Sequence, residues 1–187
     1  REVCAELLDA IEATGEPTAD AAGDFAQHIP VRIIAHMLGI PEEDEAMFTG
    51  WAVAIFQDGV DDPDIVRDAI KEILAYFEQQ LSDRRVEGKD DLITGLMAAE
   101  MDGDPLTDKH ILGTCFLLLM AGIDTTWSGI GSSLWHLATN PSDRDRLVAE
   151  PELMASAVEE FLRAYSPVTM AREVVADVEV NGCPMSA

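Results

Sequence analysis

Apolar residues return every three or four positions along most of this chain, the mark of helices that bury one face. Val3, Leu7, Leu8 and Ile11 predict a helix over residues 1–13, broken by Thr14-Gly15-Glu16-Pro17. Asp24 is expected to cap a second helix, with Phe25, Ile29, Ile33, Ile34, Met37 and Leu38 on its inner face and Gly39 as its stop. Pro30 falls in its early turns, which implies a kink there or a start near Ile29. Pro41 opens a third helix that runs to Gln57, and Glu42, Glu43, Asp44 and Glu45 suit the positive end of its dipole. A polar loop over 58–63 precedes a helix over 64–85 striped by Ile65, Ala69, Ile73, Leu74, Phe77 and Leu81. After a turn at Gly88-Lys89-Asp90, a short helix is expected over 91–101, then a turn at Asp102-Gly103-Asp104-Pro105. Two helices over 141–150 and 151–165 end at Ser166-Pro167. The tail alternates Val174, Ala176, Val178 and Val180 with Glu173, Val175, Asp177 and Glu179, which predicts a strand turning at Asn181-Gly182. The fold class is mainly α, with a minor β element near the C-terminus.

The stretch from Thr107 to Thr139 dominates this pattern. Thr107 is a good N-cap, no proline interrupts the span, and Asn140-Pro141 closes it. A helix of that length measures roughly 50 Å, enough to cross a whole domain. It is apolar enough to be buried along much of its course. Yet Gly122, Asp124, Thr125 and Thr126, all mediocre or poor helix formers, sit at its middle. A local choice that opposes the global fold marks a functional site more often than an accident. Two readings of Asp124-Thr125 stand side by side. One is a proton relay, because a hydroxyl donates and accepts while a carboxylate exchanges protons with solvent. The other is a buried polar pair that satisfies the backbone at a kink, with the threonine bonded to the preceding turn.

Ala121-Gly122-Ile123-Asp124-Thr125-Thr126 resembles the oxygen-binding motif of the central helix of cytochromes P450, A/G-G-x-D/E-T-T/S. Glu160-Phe161-Leu162-Arg163 matches that family's E-x-x-R motif at about the expected distance downstream, and Arg172 sits where the family places an arginine for a haem propionate. The three features keep the family's order, and the resemblance covers essentially the whole chain as one partial domain of the fold, residues 1–187. It runs from the family's fourth lettered helix to the small sheet after E-x-x-R.

The resemblance implies a soluble, bacterial-type haem-thiolate monooxygenase that inserts one atom of O2 into a small, mainly apolar organic substrate. Its cofactor would be haem b. Its electrons would come from NAD(P)H through a ferredoxin or flavodoxin-type donor, in the cytoplasm. Asp124 and Thr125 take the catalytic, proton-delivering role; Ala121, Gly122, Thr125 and Arg172 would contact the cofactor. Gly122, lacking a side chain, would open a groove beside the iron. Leu117, Met120, Ala121, Val168 and Met170 would line the substrate pocket, although ordinary core packing explains Leu117 and Met120 equally well. Glu160 and Arg163 would form a structural brace whose third partner is not in this sequence. The helices over 41–85 would roof the pocket. The family's ligand loop, F-x-x-G-x-x-x-C-x-G, has no match here. Cys4, Cys115 and Cys183 all read as inert, so no metal ligand is expected within the chain.

Composition narrows the alternatives. With 12 basic against 36 acidic residues, the net charge is −24, the wrong sign for a nucleic-acid surface or an anionic bilayer. The longest uninterrupted apolar stretch, Cys115 to Ile123, is too short to span a membrane. Three widely spaced cysteines fit a reducing compartment rather than a disulfide framework. The 4 histidines have neither i,i+4 pairing nor an H-E-x-x-H motif, so a zinc site is not expected. Arg1 falls within a helical pattern and Ala187 just after a turn, and the chain is expected to be an internal piece of a longer protein. The other function classes left open are a non-catalytic helical ligand-binding domain and a catalytically degenerate relative of the same fold.

Overall fold

The computed structural model describes every residue except Thr169, Ala171 and Arg172. Among the described residues the chain forms α1 (Glu2–Ala13), α2 (His28–Met37), α3 (Glu45–Phe56), α4 (Pro63–Val86), α5 (Leu92–Met97), the hairpin β1 (Glu100–Met101) and β2 (Asp104–Pro105), α6 (Asp108–Thr139), α7 (Pro141–Ala149), α8 (Met154–Ala164), and the hairpin β3 (Val178–Val180) and β4 (Cys183–Met185). Each hairpin is antiparallel and two-stranded. Short 3₁₀ turns at Glu42–Asp44, Asp58–Val60 and Pro151–Leu153 lead into or link helices, and a π-turn at Ala21–Ala26 precedes α2.

Helix α6 runs unbroken for 32 residues. The Thr107 hydroxyl accepts the His110 N–H at 3.3 Å, and the Asn140 N–H closes the far end on the His136 carbonyl at 2.8 Å. By length and composition α6 would pass as a membrane span, with an 18-residue window of mean hydropathy 1.4, longer than the apolar run alone suggests. One face of it serves the core. Ile111, Cys115, Leu119 and Ile123, each four apart, are buried on one face. Against them pack α2, α3, α4 and α5. Phe48 and Trp51 of α3 meet Tyr76 and Phe77 of α4 at centroid distances of 5.6 to 6.1 Å. The Trp51 indole donates to Glu72 at 3.1 Å and the Tyr76 hydroxyl to Asp44 at 2.6 Å, so both polar edges of this cluster are satisfied.

Helix α2 ends in a Schellman turn. Gly39, at φ +65°, donates to the His36 carbonyl at 3.1 Å, and Ile40 to the Ala35 carbonyl at 2.9 Å. The two carbonyls at the turn, of Leu38 and Gly39, both accept from Arg84 at 2.9 Å. The same guanidinium donates to Asp91 at 2.7 Å, to the Gln80 side chain at 2.7 Å and to the Gln80 carbonyl at 3.2 Å. Arg84 is 3% exposed, the only charged residue in the buried set among the described residues. Asp91 in turn caps α5 by accepting the Thr94 N–H at 2.8 Å. One side chain therefore joins the end of α2, the body of α4 and the start of α5.

Several expectations are corrected. Asp24 does not cap α2: it lies inside the π-turn, which Asp20 caps by accepting from Ala22 while Asp24 accepts the Asp20 N–H, and α2 starts at His28 without a side-chain cap. Ile33 and Met37 are 47% and 45% exposed; Val31 and Ala35 are buried in their place, because α2 turns that side toward α6. Ile65 also lies at the margin of its stripe, at 37% exposed. The fifth helix stops at Met97 rather than Met101 because Asp102 (φ +58°) and Gly103 (φ +89°) fold Glu100–Pro105 into a hairpin. The terminal strand covers only Val178–Val180, its turn set by Asn181 (φ +50°) and Gly182 (φ +82°).

The Arg84 node yields a prediction. Arg84→Met leaves the Asp91 carboxylate and two carbonyls buried without their donor, and should lower stability by about 3–5 kcal/mol in denaturant unfolding. Burial pushes Asp91 up, but the Thr94 N–H, the Arg84 guanidinium and the Thr94 side chain outweigh it and hold the carboxyl below its usual range. This contribution is complete above the unfolded value, about pH 3.9, and disappears as pH falls through the lower folded value. An Asp91→Asn chain should show no such loss in the same acid titration.

Candidate active site

The two halves of α6 are surrounded differently. Up to Ile123 one face is sealed by the core; beyond it no residue of the helix is fully buried. A second, open face runs along Gly113, Leu117 and Ala121, spaced by four, all exposed; Leu117, at 62% exposed, has no core role. Thr125 continues that row and is half-buried. It lines a cleft of roughly 450 Å³ between α6 and α8. On the α6 side the cleft is floored by Thr125, Thr126, Gly129, Ile130 and Ser133; Met154, Val158 and Leu162 of α8 form the opposite wall, with Pro167 at one end.

The Thr125 hydroxyl donates to the Ala121 carbonyl at 2.8 Å. This is the back-bond a mid-helix threonine commonly makes, and α6 remains helical through it. The oxygen keeps its lone pairs for a partner in the cleft. Asp124 is half-buried beside it. Gly122 faces away: a Cβ built there would lie 2.7 Å from Cδ1 and 3.1 Å from Cγ1 of Ile34. The space it frees is filled by α2, and the glycine permits close approach of the two helices. Met120 is half-buried against the core. The structure thus brings Leu117, Ala121 and Thr125 to one open row and sets Met120 and Gly122 toward the packed side.

Downstream, Val168 and Met170 are 52% and 76% exposed, and Arg172 lies outside the described residues. Glu160 and Arg163 form a two-pronged fork, Nε to Oε2 at 2.7 Å and Nη2 to Oε1 at 2.6 Å. The guanidinium beside Glu160 holds its carboxyl below the usual range, and the carboxylate raises Arg163. The fork is open to solvent, where such a pair adds little stability. The cysteines are all free. Burial pushes the Cys115 thiol up to about 11, so it is no thiolate at neutral pH; Cys183 is exposed on β4 and Cys4 is half-buried in α1.

The cleft wall on α8 was absent from the sequence-based site. Its signal was available in Met154, Val158 and Leu162, four apart, facing Gly129 and Ser133 on α6, also four apart. Chemically, the open row offers a methyl at Ala121 and a hydroxyl at Thr125 beside a mainly apolar hollow. No cysteine lines that cleft.

Known proteins resemble this chain over its full length. A family model described as Cytochrome P450 matches residues 45–187. The chain is 36% identical over 169 residues to the polyketide biosynthesis cytochrome P450 PksS of Bacillus subtilis, covering 90% of this chain and 41% of that protein. It is 35% identical over 191 residues to the mycinamicin IV hydroxylase/epoxidase of Micromonospora griseorubida, covering 100% of this chain and 48% of that one. The solved structure of PksS superposes with a TM-score of 0.87 at 34% identity, over 99% of this chain and 48% of that chain. The chain therefore spans somewhat under half the length of these relatives.

The Gly122–Ile34 contact is testable by a double-mutant cycle. Replacing a helical glycine by alanine gains about 1 kcal/mol of propensity, while overpacking a core seam costs about 1–3 kcal/mol. Crowding should win, so Gly122→Ala is expected to lower the unfolding midpoint. In an Ile34→Val background, where Cδ1 is gone, the same change should become neutral or stabilising. Equal gains in both backgrounds would show that α2 does not press on Gly122.

Proposed function

The chain belongs to the cytochrome P450 family, and on that footing we propose that it forms the central-helix portion of a haem-thiolate monooxygenase. The reaction would place one oxygen atom of O2 into an organic substrate, with electrons from NAD(P)H passed through a ferredoxin or flavodoxin-type donor. The observation that carries this reading is the Thr125 hydroxyl on the open face of α6, at an apolar cleft, within Ala121-Gly122-Ile123-Asp124-Thr125-Thr126. Haem b, when bound, supplies the activation of O2 and the oxidation of the substrate. A cysteine outside these residues would supply its thiolate, and Arg172 would hold one propionate.

The chain's own residues then act as follows. Ala121 presents only a methyl, so a flat cofactor can approach the helix closely. Asp124 takes up protons from solvent on its carboxylate. Thr125 relays them through Oγ1: it accepts a hydrogen bond on a lone pair while its own proton swings from the Ala121 carbonyl into the cleft. That carbonyl keeps the backbone N–H of Thr125 in the helical ladder, so the swing leaves no acceptor unpaired. Leu117 and the residues leading to Val168 and Met170 exclude water and hold an apolar substrate. One relative is named for polyketide biosynthesis and another as a mycinamicin IV hydroxylase/epoxidase; both names support an organic substrate carrying oxidisable C–H or C=C groups. Glu160 and Arg163 brace α8 and touch neither cofactor nor substrate.

The test uses the haem-loaded, full-length protein with its electron donors. Thr125→Ala should cut product formed per NAD(P)H by roughly tenfold or more, less than the full contribution of a proton-transfer group because water can stand in for the hydroxyl, while NAD(P)H use continues and peroxide accumulates. Thr125→Ser should keep most of the coupling. An alanine variant that stays fully coupled, without extra peroxide, would end the relay assignment.

A further inference from the structure

His136, near the end of α6, lies outside the site described above, yet both of its ring nitrogens are engaged. Nδ1 is 2.7 Å from the Tyr165 hydroxyl and Nε2 is 2.9 Å from Oδ2 of Asp143. The partners come from three places: Asp143 from the first turn of α7, Tyr165 from the C-cap of α8, and His136 itself from α6. The imidazole also tilts against the Phe161 ring at 5.3 Å, and Tyr165 is met edge-on by Trp135 at 6.1 Å. The histidine side chain is 21% exposed.

The chemistry of the partners decides where the neutral ring carries its proton. An ionised carboxylate only accepts, so Nε2, facing Asp143, must donate. Nδ1 faces two groups able to donate, the Tyr165 O–H and the Asn140 side-chain amide at 3.5 Å, so it must accept. Only the Nε2–H tautomer satisfies every contact.

We propose that His136 is a positioning residue: in this single tautomer it latches α7 and the end of α8 to α6, and so places the Tyr165–Pro167 corner against the Thr125 cleft. The reach follows from the chain path. Tyr165 is the last residue of the α8 cap, its N–H donating to the Phe161 carbonyl at 2.8 Å. Two residues later Pro167 lines the same cleft as Met154, Val158 and Leu162. The apolar side chains of α8 face α6 across the cleft, and the His136–Tyr165 contact adds a directional polar tie at its C-terminal end. The latch depends on these contacts and holds whether or not the haem reading does.

Nitrogen-15 NMR of the histidines in the full chain at neutral pH tests it, with His136 assigned from the signals lost in His136→Gln. The expected spectrum shows a protonated Nε2 and a bare, hydrogen-bonded Nδ1. Averaged nitrogens, as in free imidazole, or a proton on Nδ1 would overturn the tautomer. Tyr165→Phe and Asp143→Asn keep the packing rings in place and so keep the test alive if His136 variants fail to fold. Tyr165→Phe should shift Nδ1 but not Nε2, speed amide exchange in α8 about three- to tenfold, and move the Met154 methyl resonance at the cleft. Asp143→Asn should shift Nε2 and loosen α7. Unchanged Nδ1, α8 exchange and Met154 signals in Tyr165→Phe would overturn the latch.

Discussion

A buried guanidinium can survive only when each of its donors has an acceptor, and Arg84 meets that condition by drawing three helices together. Its acceptors are the carbonyls where α2 stops, a side chain and a carbonyl one turn back on α4, and the carboxylate that starts α5. Gly39 adds a steric lock: a Cβ there would collide with the Asp91 carboxylate. The helix ends around the first half of α6 are therefore fixed by a polar node. The apolar seam of Ile111, Cys115, Leu119 and Ile123 fills the space that node encloses.

That enclosure explains why α6 has two characters. Where α2 to α5 surround it, side chains are large on the sealed face and the helix behaves as core. From Gly122 on, the helix carries small or hydroxylated residues (Gly122, Thr125, Thr126, Gly129, Ser133), and neighbours approach closely or leave a hollow. Gly122 belongs to the first use, admitting Ile34. Gly129 and Ser133 belong to the second, flooring the cleft that α8 walls. Thr125 stands at the boundary, bonded to the helix through one contact and open to the cleft.

The second half of the molecule is held by fewer and more polar ties. α7 and α8 lack buried residues, and their contacts with α6 centre on His136, Asp143, Phe161 and Tyr165. The Glu160–Arg163 fork is well formed but solvent-exposed, so it restrains its own helix more than it joins elements. A region so attached can take its final orientation from whatever else packs against it, whereas the Arg84 region is already committed.

What the sequence determined by itself was the set of helices and the identity of the central one, because periodicity, caps and prolines are local signals. Thr107, Gly39 and Asn181-Gly182 each marked a boundary the fold respects, and Ala121 to Thr126 with Glu160 and Arg163 sufficed to indicate the family. The tertiary structure decided which side of each element faces what. Ile33 and Met37 carried the right period yet lie exposed, because the direction in which α2 meets α6 depends on distant residues. Gly122 signalled a missing side chain, but only packing shows that Ile34 fills the gap. Arg84, one arginine among 12 basic residues, and His136, one histidine among 4, carry no local mark at all. Their roles exist only where chain segments 45 and 29 positions apart are brought within hydrogen-bonding distance, and a linear pattern does not record that meeting.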